Sequence, residues 1–596
     1  MKQDITQRVE SLRQWMKEHG LQAYIITSTD PHASEYTPEY WQCRQWISGF
    51  DGSAGTAVVT LDAAALWTDS RYFIAAAEVL KDTPFRLMKD GLEETPSIPQ
   101  WLVSKLAVKS KVGIDGKAVT YKEAVALQDE LLEHDIELVA DFSAPDDLWT
   151  ENRPSLSQDP VSIQPIEWAG ETVASKAARL MDIVEQKGCD EILISQFDEV
   201  AWLLNLRGND VHCNPVFVAY CIVSRDEISL FCSPQKITKE VKAYLDDNKV
   251  KVYDYYKAEL TLMRSKKTIM LSPLTNVALA FVCLNPQRGN AVIADSPVAT
   301  MKAIKNVAEI KGMKQAMLQD GVALVKWIKW LQEAVPQGNE TEISIDNKLT
   351  ELRKENADFC GLSFDTIAGY NAHGAIVHYE ATPDTDVPLK PEGILLVDTG
   401  AQYTCGTTDI TRTFLLGGTP TAEQKKVYTL VLKGHIALSR LKFPRSASGT
   451  QLDLAARYAM WQEGYNYGHG TGHGVGAHLN VHEGPHQIRM NYMPAPIVEG
   501  MTVTDEPGLY LEGRFGVRIE NVLLCVPYKQ TEFGTFVGFE PLTLCPIDTK
   551  LIDMQMMTPT EIEWLNNYHQ NVEKTLSPLL ADEADRLWLT NACKPL

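Results

Sequence analysis

Two aspartates, two glutamates and one histidine lie in a single stretch of the chain, each within short apolar or glycine-rich sequence. They are Asp398, Asp409, His473, Glu506 and Glu520. Carboxylate oxygens with one imidazole form a hard ligand set, which suits pairs of Mn, Co or Zn ions in hydrolases rather than soft thiolate chemistry. These residue types therefore indicate a hydrolytic site that holds two divalent cations.

The two aspartates lie next to predicted strands. Residues 394–397 (ILLV) and 410–414 (ITRTF) are typical of strands, and glycines interrupt the segment between them. A hairpin or a pair of adjacent strands would place Asp398 and Asp409 side by side. Two buried carboxylates repel each other, and a bound dication would remove that repulsion. The alternative is that both aspartates cap turns, since Asp-Thr-Gly is also a turn signal.

Glycines alternate with other residues around His473. They are Gly468, Gly470, Gly472, Gly474 and Gly476. A helix is disfavoured here, because each interior glycine costs ~1 kcal/mol relative to alanine. Glycine instead lets another backbone, a metal or a substrate approach closely. We expect His469 and His473 on one face of a strand; alternatively, one of them only hydrogen-bonds to neighbouring strands.

The segment His482-Glu483-Gly484-Pro485-His486 fits the H-E-x-x-H pattern of single-zinc metalloproteases. That chemistry requires a helix that presents both histidines on one face. Pro485 would cost such a helix ~3 kcal/mol or more, because it removes a backbone donor and clashes with the preceding turn. We therefore reject this interpretation and predict that His482 faces the substrate from a loop or strand.

The last two glutamates of the set also follow predicted strands. Glu506 precedes Pro507-Gly508 and is expected to end a strand at a turn. Arg518 and Glu520 are two residues apart, so they are expected to share a strand face. An arginine beside a buried glutamate keeps that glutamate ionised, as a metal ligand must be. The alternative is an ordinary surface ion pair.

The ordered series of motifs resembles the dinuclear site of the pita-bread metallopeptidases, which include methionine aminopeptidase, prolidase and aminopeptidase P. The resemblance is greatest to the long, three-domain cytosolic Xaa-Pro aminopeptidases. It extends over nearly the whole chain and is carried by residues 48–56, 67–73, 198–208, 214–217, 469–476, 480–485 and 564–569.

The resemblance implies a role for each residue of the set. Asp398 is similar to the ligand of one metal only, Asp409 and Glu520 to the two bridging carboxylates, and His473 and Glu506 to the ligands of the second metal. Glu506 is also implied as the general base. The cofactors implied are two divalent metal ions, Mn²⁺ first, with Co²⁺ or Zn²⁺ as alternatives.

Further active-site residues are implied by the same resemblance. Those similar to catalytic or substrate-contacting residues of the family are His378, His482 and His469, and those similar to substrate-binding arginines are Arg71 and Arg518. His482 would stabilise the oxyanion, and His378 would hold the residue after the scissile bond.

The fold class predicted is α/β (α+β), with two related N-terminal creatinase-like α/β domains followed by a C-terminal pita-bread catalytic domain. A helix–glycine–strand order occurs twice, at Gly20 and at Gly188, and suggests the first two domains. An amphipathic helix from about residue 310 opens the catalytic domain, and a capping box at Thr558–Glu561 begins a helix near the C-terminus. The expected domains are residues 1–146, 147–305, 306–540 and 541–596, the last a helical extension.

The composition excludes several classes of protein. A net charge of −22 argues against nonspecific nucleic-acid binding and against an anionic membrane surface. The 11 cysteines are scattered, as in a cytosolic protein with reduced thiols. We see neither a signal peptide nor a run of about 18 apolar residues, so a cytoplasmic protein without membrane contact is expected.

The function implied by the resemblance is a metal-dependent aminopeptidase. It would hydrolyse the bond between any N-terminal residue and a penultimate proline, using water activated by two metals, and act on proline-containing peptides as a homodimer. One alternative is a prolidase-type X-Pro dipeptidase with the same metal site. Another is a pita-bread module that binds peptides without catalysis, but this chain retains all five ligand positions.

Overall fold

The periodic segments of the sequence form helices and strands in two units of the computed structural model, which describes residues 2–596. The first unit extends to Gln164 and resumes at Glu171–Val298, and the second comprises Pro165–Gly170 and Ala299–Leu596. None of the helices in the described part of the chain has the length and hydropathy that crossing a bilayer requires.

The first unit alternates short strands and helices. Its strands are β1 (Ala23–Thr27), β2 (Thr56–Thr60), β3 (Ala64–Thr68), β4 (Arg86–Lys89), β5 (Lys111–Ile114), β6 (Glu137–Val139), β7 (Ser162–Ile163), β8 (Glu191–Ile194), β9 (Leu206–Arg207), β10 (Ala219–Ser224), β11 (Ile228–Cys232), β12 (Val250–Tyr253), β13 (Ile269–Leu271) and β14 (Ala291–Ile293). Its helices are α1 (Lys2–Glu18), α2 (Cys43–Ser48), α3 (Phe73–Leu80), α4 (Ile98–Lys105), α5 (Tyr121–Leu132), α6 (Ala144–Leu148), α8 (Val173–Gln186), α9 (Phe197–Leu204), α10 (Lys239–Asp247), α11 (Lys257–Arg264) and α12 (Val277–Leu284).

Two six-stranded sheets in this unit have the same topology. Their strand orders are β4-β3-β2-β1-β5-β6 and β12-β11-β10-β8-β13-β14. In the first sheet β1 pairs antiparallel with β2 and parallel with β5. In the second sheet β8 pairs in the same way, antiparallel with β10 and parallel with β13. The shared order confirms the prediction of two related α/β folds.

The helix–glycine–strand repeat is the local basis of that likeness. Gly20 follows α1 with φ 69°, and Gly188 follows α8 with φ 75°. This left-handed conformation ends a helix, and glycine adopts it without the steric penalty that a side chain would add. At both positions the chain turns directly into the first strand of its sheet.

The second unit is built from longer helices and antiparallel strands. Its strands are β15 (Phe359–Leu362), β16 (Ile367–Tyr370), β17 (Gly393–Thr399), β18 (Ala401–Tyr403), β19 (Gly406–Thr407), β20 (Ile410–Gly417), β21 (Lys442–Pro444), β22 (Gly472–Gly474), β23 (Glu483–Ile488), β24 (Thr502–Asp505), β25 (Gly508–Leu511), β26 (Phe515–Arg518), β27 (Asn521–Thr531) and β28 (Gly534–Pro541). Its helices are α7 (Ile166–Ala169), α14 (Val307–Ala334), α15 (Glu342–Arg353), α16 (Ala422–Ser439), α17 (Gly449–Gln462), α18 (Pro559–Leu576) and α19 (Glu583–Ala592), while α13 (Pro297–Ala303) crosses the boundary between the units.

The helix boundaries of this unit follow from capping. Asn306 and Glu309 form a capping box that begins α14, and Thr558 and Glu561 form another that begins α18. Proline in a helix interior removes a hydrogen bond, and α14 accordingly ends at Ala334, before Pro336. The predicted amphipathic helix and the predicted C-terminal helix are both confirmed.

Three small sheets carry the predicted site. Strand order β16-β17-β20 forms one, β21-β28-β27-β24 forms the second, and β22 pairs with β23 in the third. Helix α16 contributes Val427, Val431 and Ile436 to a hydrophobic core that also includes residues of β25, β26 and the C-terminal helices. Each sheet brings one or two of the five predicted ligand residues to its end.

Candidate metal centre

Four carboxylates and one imidazole converge at the ends of these strands. His473 Nε2 lies 3.6 Å from Asp409 Oδ2 and 3.4 Å from Glu506 Oε1. One ligand atom each from Asp409, His473 and Glu520 lie within 4.8 Å of one another. Asp398 interacts electrostatically with both Asp409 and Glu520. The structure therefore brings together all five residues that the sequence analysis selected.

Strand pairing between β17 and β20 places the two aspartates side by side. Asp398 is opposite Thr411, and Asp409 immediately precedes β20. Gly400 makes this approach possible, since a Cβ there would lie 2.1 Å from Ser363 Oγ and 2.2 Å from Thr408 O. The prediction of adjacent strands with paired carboxylates is confirmed.

Burial and mutual repulsion both act on these carboxylates. Burial is the larger cause that raises the pKa of Asp409 and of Glu520 well above the ordinary range, and the charges of neighbouring carboxylates add to it. Burial likewise raises the pKa of Glu506 to about 7, although the charge of Arg518 opposes the rise. Without a cation, the cluster therefore retains protons that isolated carboxylates would have lost.

Arg518 pairs with a different carboxylate from the predicted one. Its Nη2 and Nε donate to Asp398 Oδ2 at 2.6 and 3.0 Å, and the pKa of Glu520 is raised rather than lowered. The prediction that Arg518 keeps Glu520 ionised is therefore wrong. Strand β26 ends at Arg518, so the two residues do not continue one strand face.

Tyr510 extends this pairing to His469, and the sequence analysis missed it. Arg518 Nη1 donates to the Tyr510 hydroxyl at 2.6 Å, and that hydroxyl lies 2.8 Å from His469 Nε2. The Nδ1–H of His469 donates to Gly470 O, so its Nε2 is the acceptor of the tyrosine proton. The only local signal was the β25–β26 hairpin, in which Gly508 pairs with Arg518.

His473 and His469 do not share a strand. Strand β22 spans only Gly472–Gly474, which leaves His469 in the preceding loop. The prediction of a common strand face is wrong, because the pairing of β22 with β23 begins only at Gly472. His473 Nδ1–H donates to Gly474 O at 2.9 Å, and the other ring nitrogen faces the carboxylates, where the neutral ring would present a lone pair to a metal.

Glycine permits the close packing around His473. A Cβ on Gly472 would lie 1.9 Å from Thr504 O, and one on Gly474 would lie 2.4 Å from Glu483 O. The ring of His482 is 4.3 Å from the ring of His473, in a T-shaped arrangement. The predicted close backbone approach is confirmed at Gly472, Gly474 and Gly476, whereas a Cβ on Gly470 would make only ordinary contacts.

The H-E-x-x-H segment forms no helix. Glu483 to Ile488 is strand β23, and the carboxylate of Glu483 accepts from the ammonium groups of Lys302 and Lys305. His486 is fully buried with Nε2 2.7 Å from Thr502 O, and burial lowers its pKa to about 4. The rejection of a single-zinc site is confirmed.

His378 lies in the segment after a short helical turn at Asn371–Ala375. Arg518 Nη2 donates to Val377 O at 3.4 Å, and the Tyr379 hydroxyl donates to Glu342 Oε2 at 2.8 Å. Both neighbours of His378 are therefore anchored within the second unit.

Arg71 lies in the first unit. Its Nη2 and Nε donate to the two carboxylate oxygens of Asp69 at 2.8 and 2.9 Å, and its Nη1 is 3.6 Å from Glu35. These carboxylates hold its guanidinium in one orientation.

The donor set fits a pair of hard divalent cations. Asp398 Oδ1 is buried and has no hydrogen-bond partner among the described residues. A buried polar atom without a partner is costly, and so is a cluster of buried carboxylates without a counter-charge. Oxygen-rich ligands with one imidazole nitrogen would satisfy both needs with Mn²⁺, Co²⁺ or Zn²⁺.

The raised pKa of Glu506 predicts how metal-free protein responds to pH. Its folded pKa of about 7 lies above the ordinary 4.5, so stability is lost as pH rises from about 4.5 to 7. The loss is on the order of 3 kcal/mol. We expect Glu506→Gln to flatten this dependence, measured as the thermal unfolding midpoint in chelator. The exposed Glu512→Gln should keep the wild-type slope; parallel curves for Glu506→Gln and wild type would contradict the assignment.

Comparison with known protein families agrees with this geometry. Residues 311–527 match the model of metallopeptidase family M24. Two models described as a creatinase/prolidase N-terminal domain match residues 8–144 and 152–309, and the C-terminal region of the M24 peptidases matches residues 535–596.

Individual relatives are similar over almost their full length. A probable Xaa-Pro aminopeptidase P of Laccaria bicolor is 39% identical in an alignment that covers 99% of this chain and 94% of the Laccaria bicolor protein. Aminopeptidase P2 of Arabidopsis thaliana is 40% identical, with 99% and 89% covered. The crystal structure of an X-prolyl aminopeptidase from Caenorhabditis elegans, described as a cytosolic enzyme with a di-nuclear active site, superposes with a TM-score of 0.93 at 34% identity and covers 97% and 95%. The chain therefore belongs to metallopeptidase family M24, in the group of the Xaa-Pro aminopeptidases.

Proposed function

We propose that this protein is a metal-dependent Xaa-Pro aminopeptidase that releases the N-terminal residue from peptides with proline in second position. The observation that carries the proposal is the convergence of four buried carboxylates with His473 Nε2, which lies 3.4 Å from Glu506 and 3.6 Å from Asp409. Membership of the family and the relatives' names supply the reaction class and the proline preference.

The five side chains would divide two cations between them. Asp398 would hold one metal, Asp409 and Glu520 would bridge both, and His473 and Glu506 would complete the second. Two divalent ions, Mn²⁺ first, would supply Lewis acidity and lower the pKa of water in the site when bound. Arg518 would fix the orientation of Asp398 through Oδ2 and leave Oδ1 facing the site.

Glu506 would accept the proton of the attacking water. Burial gives this carboxylate a pKa of about 7 in the metal-free protein, which shows that its surroundings favour a bound proton. A group that takes and returns a proton near neutral pH is suited to general acid–base catalysis. Thr504 Oγ1 donates to Glu506 Oε1 at 3.2 Å and limits the rotation of the carboxylate.

Two histidines would contact the peptide. His482, in contact with the ring of His473, would donate to the oxyanion that forms at the scissile carbonyl. His378 would hold the residue after the scissile bond; its neighbour Val377 accepts a hydrogen bond from Arg518, which also donates to Asp398.

Three further residues stay as proposals from the resemblance. His469, Arg71 and Arg518 were predicted at the active site. Arg518 is 2% exposed and donates to Asp398 and Tyr510, so we propose that it positions these groups and meets substrate only through them.

Proline in second position changes what a site must provide. The Xaa-Pro bond is a tertiary amide without an N–H, so a site that accepts it needs no acceptor at that point and must fit the ring. A free N-terminal amine near the metals would make the enzyme act on peptide ends.

We also propose the predicted division into residues 1–146, 147–305, 306–540 and 541–596. The family models match the chain in four spans that correspond to it. A cytoplasmic location is proposed as well, since the Caenorhabditis elegans protein is described as cytosolic.

Paired peptides test the activity. With Mn²⁺, the protein should release X from X-Pro-Y and leave X-Ala-Y almost intact, because a site that accepts a tertiary amide would offer no acceptor for the N–H of the alanine peptide bond. Chelator should abolish the release and added Mn²⁺ restore it. Peptide products are measured by mass spectrometry. Equal cleavage of both peptides would refute the proline preference, and cleavage of X-Pro alone would identify a prolidase.

Metal stoichiometry tests the bridging role of Asp409. Asp409→Ala should lose one of two bound metals and most of its activity, because a bridging carboxylate serves both ions. Elemental analysis after dialysis counts the metals. Asp384→Ala, at an exposed position, is the control and should retain two. Two metals in both variants would contradict the bridging assignment.

A homodimer is proposed in addition. Leu454, Tyr458 and Trp461 recur at helical spacing on α17 and are 51%, 59% and 39% exposed. Such an apolar row on a helix favours a protein contact. The C-terminal extension also exposes an apolar side chain, because Leu587 of α19 is 61% exposed.

Light scattering coupled to chromatography tests both surfaces. Wild-type protein should have twice the chain mass. Tyr458→Glu should give monomers if α17 is the contact, and Leu587→Glu should do so if α19 is. A wild-type monomer at micromolar concentration would refute the dimer.

A further inference from the structure

A buried ion pair lies behind the two aspartates of the candidate site. Asp320, in the middle of α14, is 2% exposed, and Arg353, the last residue of α15, is 0% exposed. Arg353 Nε donates to Asp320 Oδ1 at 2.8 Å, and Nη2 donates to Oδ2 at 3.3 Å. The pair joins two helices that are separate in sequence.

The same pair holds the residues next to both aspartates. Arg353 Nη1 donates to Thr399 Oγ1 at 2.8 Å and to Gly400 O at 3.3 Å, directly after Asp398. Thr408 Oγ1 donates to Asp320 Oδ2 at 2.9 Å, directly before Asp409. One ion pair is thus bonded to the end of β17 and to the start of β20.

Asp320 is saturated by these contacts. Its Oδ1 accepts from Arg353 and from the Tyr403 hydroxyl at 3.1 Å, and its Oδ2 accepts from Arg353 and from Thr408. A carboxylate with four donors does not ligate a metal in addition. Its role is therefore to position other groups.

Energetics also favour a positioning role. Removing two charges from water is expensive, and a buried ion pair contributes little net stability even when its hydrogen bonds are complete. Groups that orient metal ligands from behind typically change metal affinity or activity 10- to 100-fold when they are removed. Among the contacts described above, only the hydroxyls of Thr399 and Thr408 belong to residues that directly adjoin Asp398 and Asp409 in sequence.

We propose that Asp320 and Arg353 are positioning residues that set the separation of Asp398 and Asp409 for cation binding. The proposal rests on the proposed metal-dependent function. Thr399 and Thr408 transmit the position of the ion pair to the two strands, so the hydroxyl of each matters and its methyl group does not.

Threonine-to-valine changes test the links without exposing the ion pair. Thr408→Val removes the hydroxyl that donates to Asp320, and Thr399→Val removes the hydroxyl that accepts from Arg353. Each change keeps the side-chain volume almost constant. We expect about 10-fold weaker Mn²⁺ binding for either variant. Thr408→Ser and Thr399→Ser keep the hydroxyl and should bind Mn²⁺ as wild type does. Binding is measured by competition with a chelator of known affinity.

A third threonine separates positioning from general stability. Thr429 on α16 is fully buried, and its hydroxyl contacts Lys425 O and Asp553 N instead of the ion pair. Thr429→Val should lower the unfolding midpoint of metal-free protein but leave Mn²⁺ affinity unchanged. Should one of the site variants fail to fold, the other valine variant still decides the question.

Each outcome has a distinct meaning. Wild-type protein that binds none of Mn²⁺, Co²⁺ and Zn²⁺ refutes the proposed function. If the wild-type protein binds two Mn²⁺ and both valine variants bind Mn²⁺ with the wild-type affinity, the positioning role is overturned. Loss of affinity in the serine variants as well would assign the effect to packing and would also overturn it.

Discussion

Repulsion among buried carboxylates is the constraint on which this structure depends. Burial and neighbouring charge raise the pKa of Asp409 and Glu520 well above the ordinary range, and that of Glu506 to about 7. Backbone pairing holds the groups together at this cost, since Asp398 lies on β17, Asp409 immediately precedes β20, and these two strands pair in fixed register. A pair of dications converts the same crowding into binding energy, which is why the fold can concentrate so many carboxylates.

The frame that resists this repulsion extends to the C-terminal helices. Arg412 of β20 is buried and donates to Glu520 O at 2.5 Å and to the Tyr568 hydroxyl of α18 at 2.9 Å. Its Nη2 also donates to Asn521 Oδ1 and to Cys545 O. The residues after 541 thus contribute to the position of a predicted ligand, and they are more than an appendage to the catalytic fold. We propose the same role for the ion pair of Asp320 and Arg353, which is bonded to Thr399 and Thr408 next to Asp398 and Asp409.

Local patterns predicted much of this arrangement. The strands around Asp398 and Asp409 follow from short β-branched and apolar runs, and the close packing at His473 follows from alternating glycine, because both effects act over a few residues. Partner choice was beyond reach: Arg518 binds Asp398, 120 residues earlier, although Glu520 is two residues away. Tyr510 and the ion pair behind the site were missed for the same reason. Their roles depend on distant strands that meet only in the fold.

The H-E-x-x-H segment shows why residue types alone do not define a site. On a helix, its two histidines would share a face and bind one metal. In strand β23 the same residues separate: Glu483 neutralises the ammonium groups of Lys302 and Lys305, and His486 is hydrogen-bonded to the backbone of Thr502. Only His482, just before the strand, remains beside His473. Gly484 and Pro485 disfavour a helix here, and the strand that forms instead decides which of these side chains is available for chemistry.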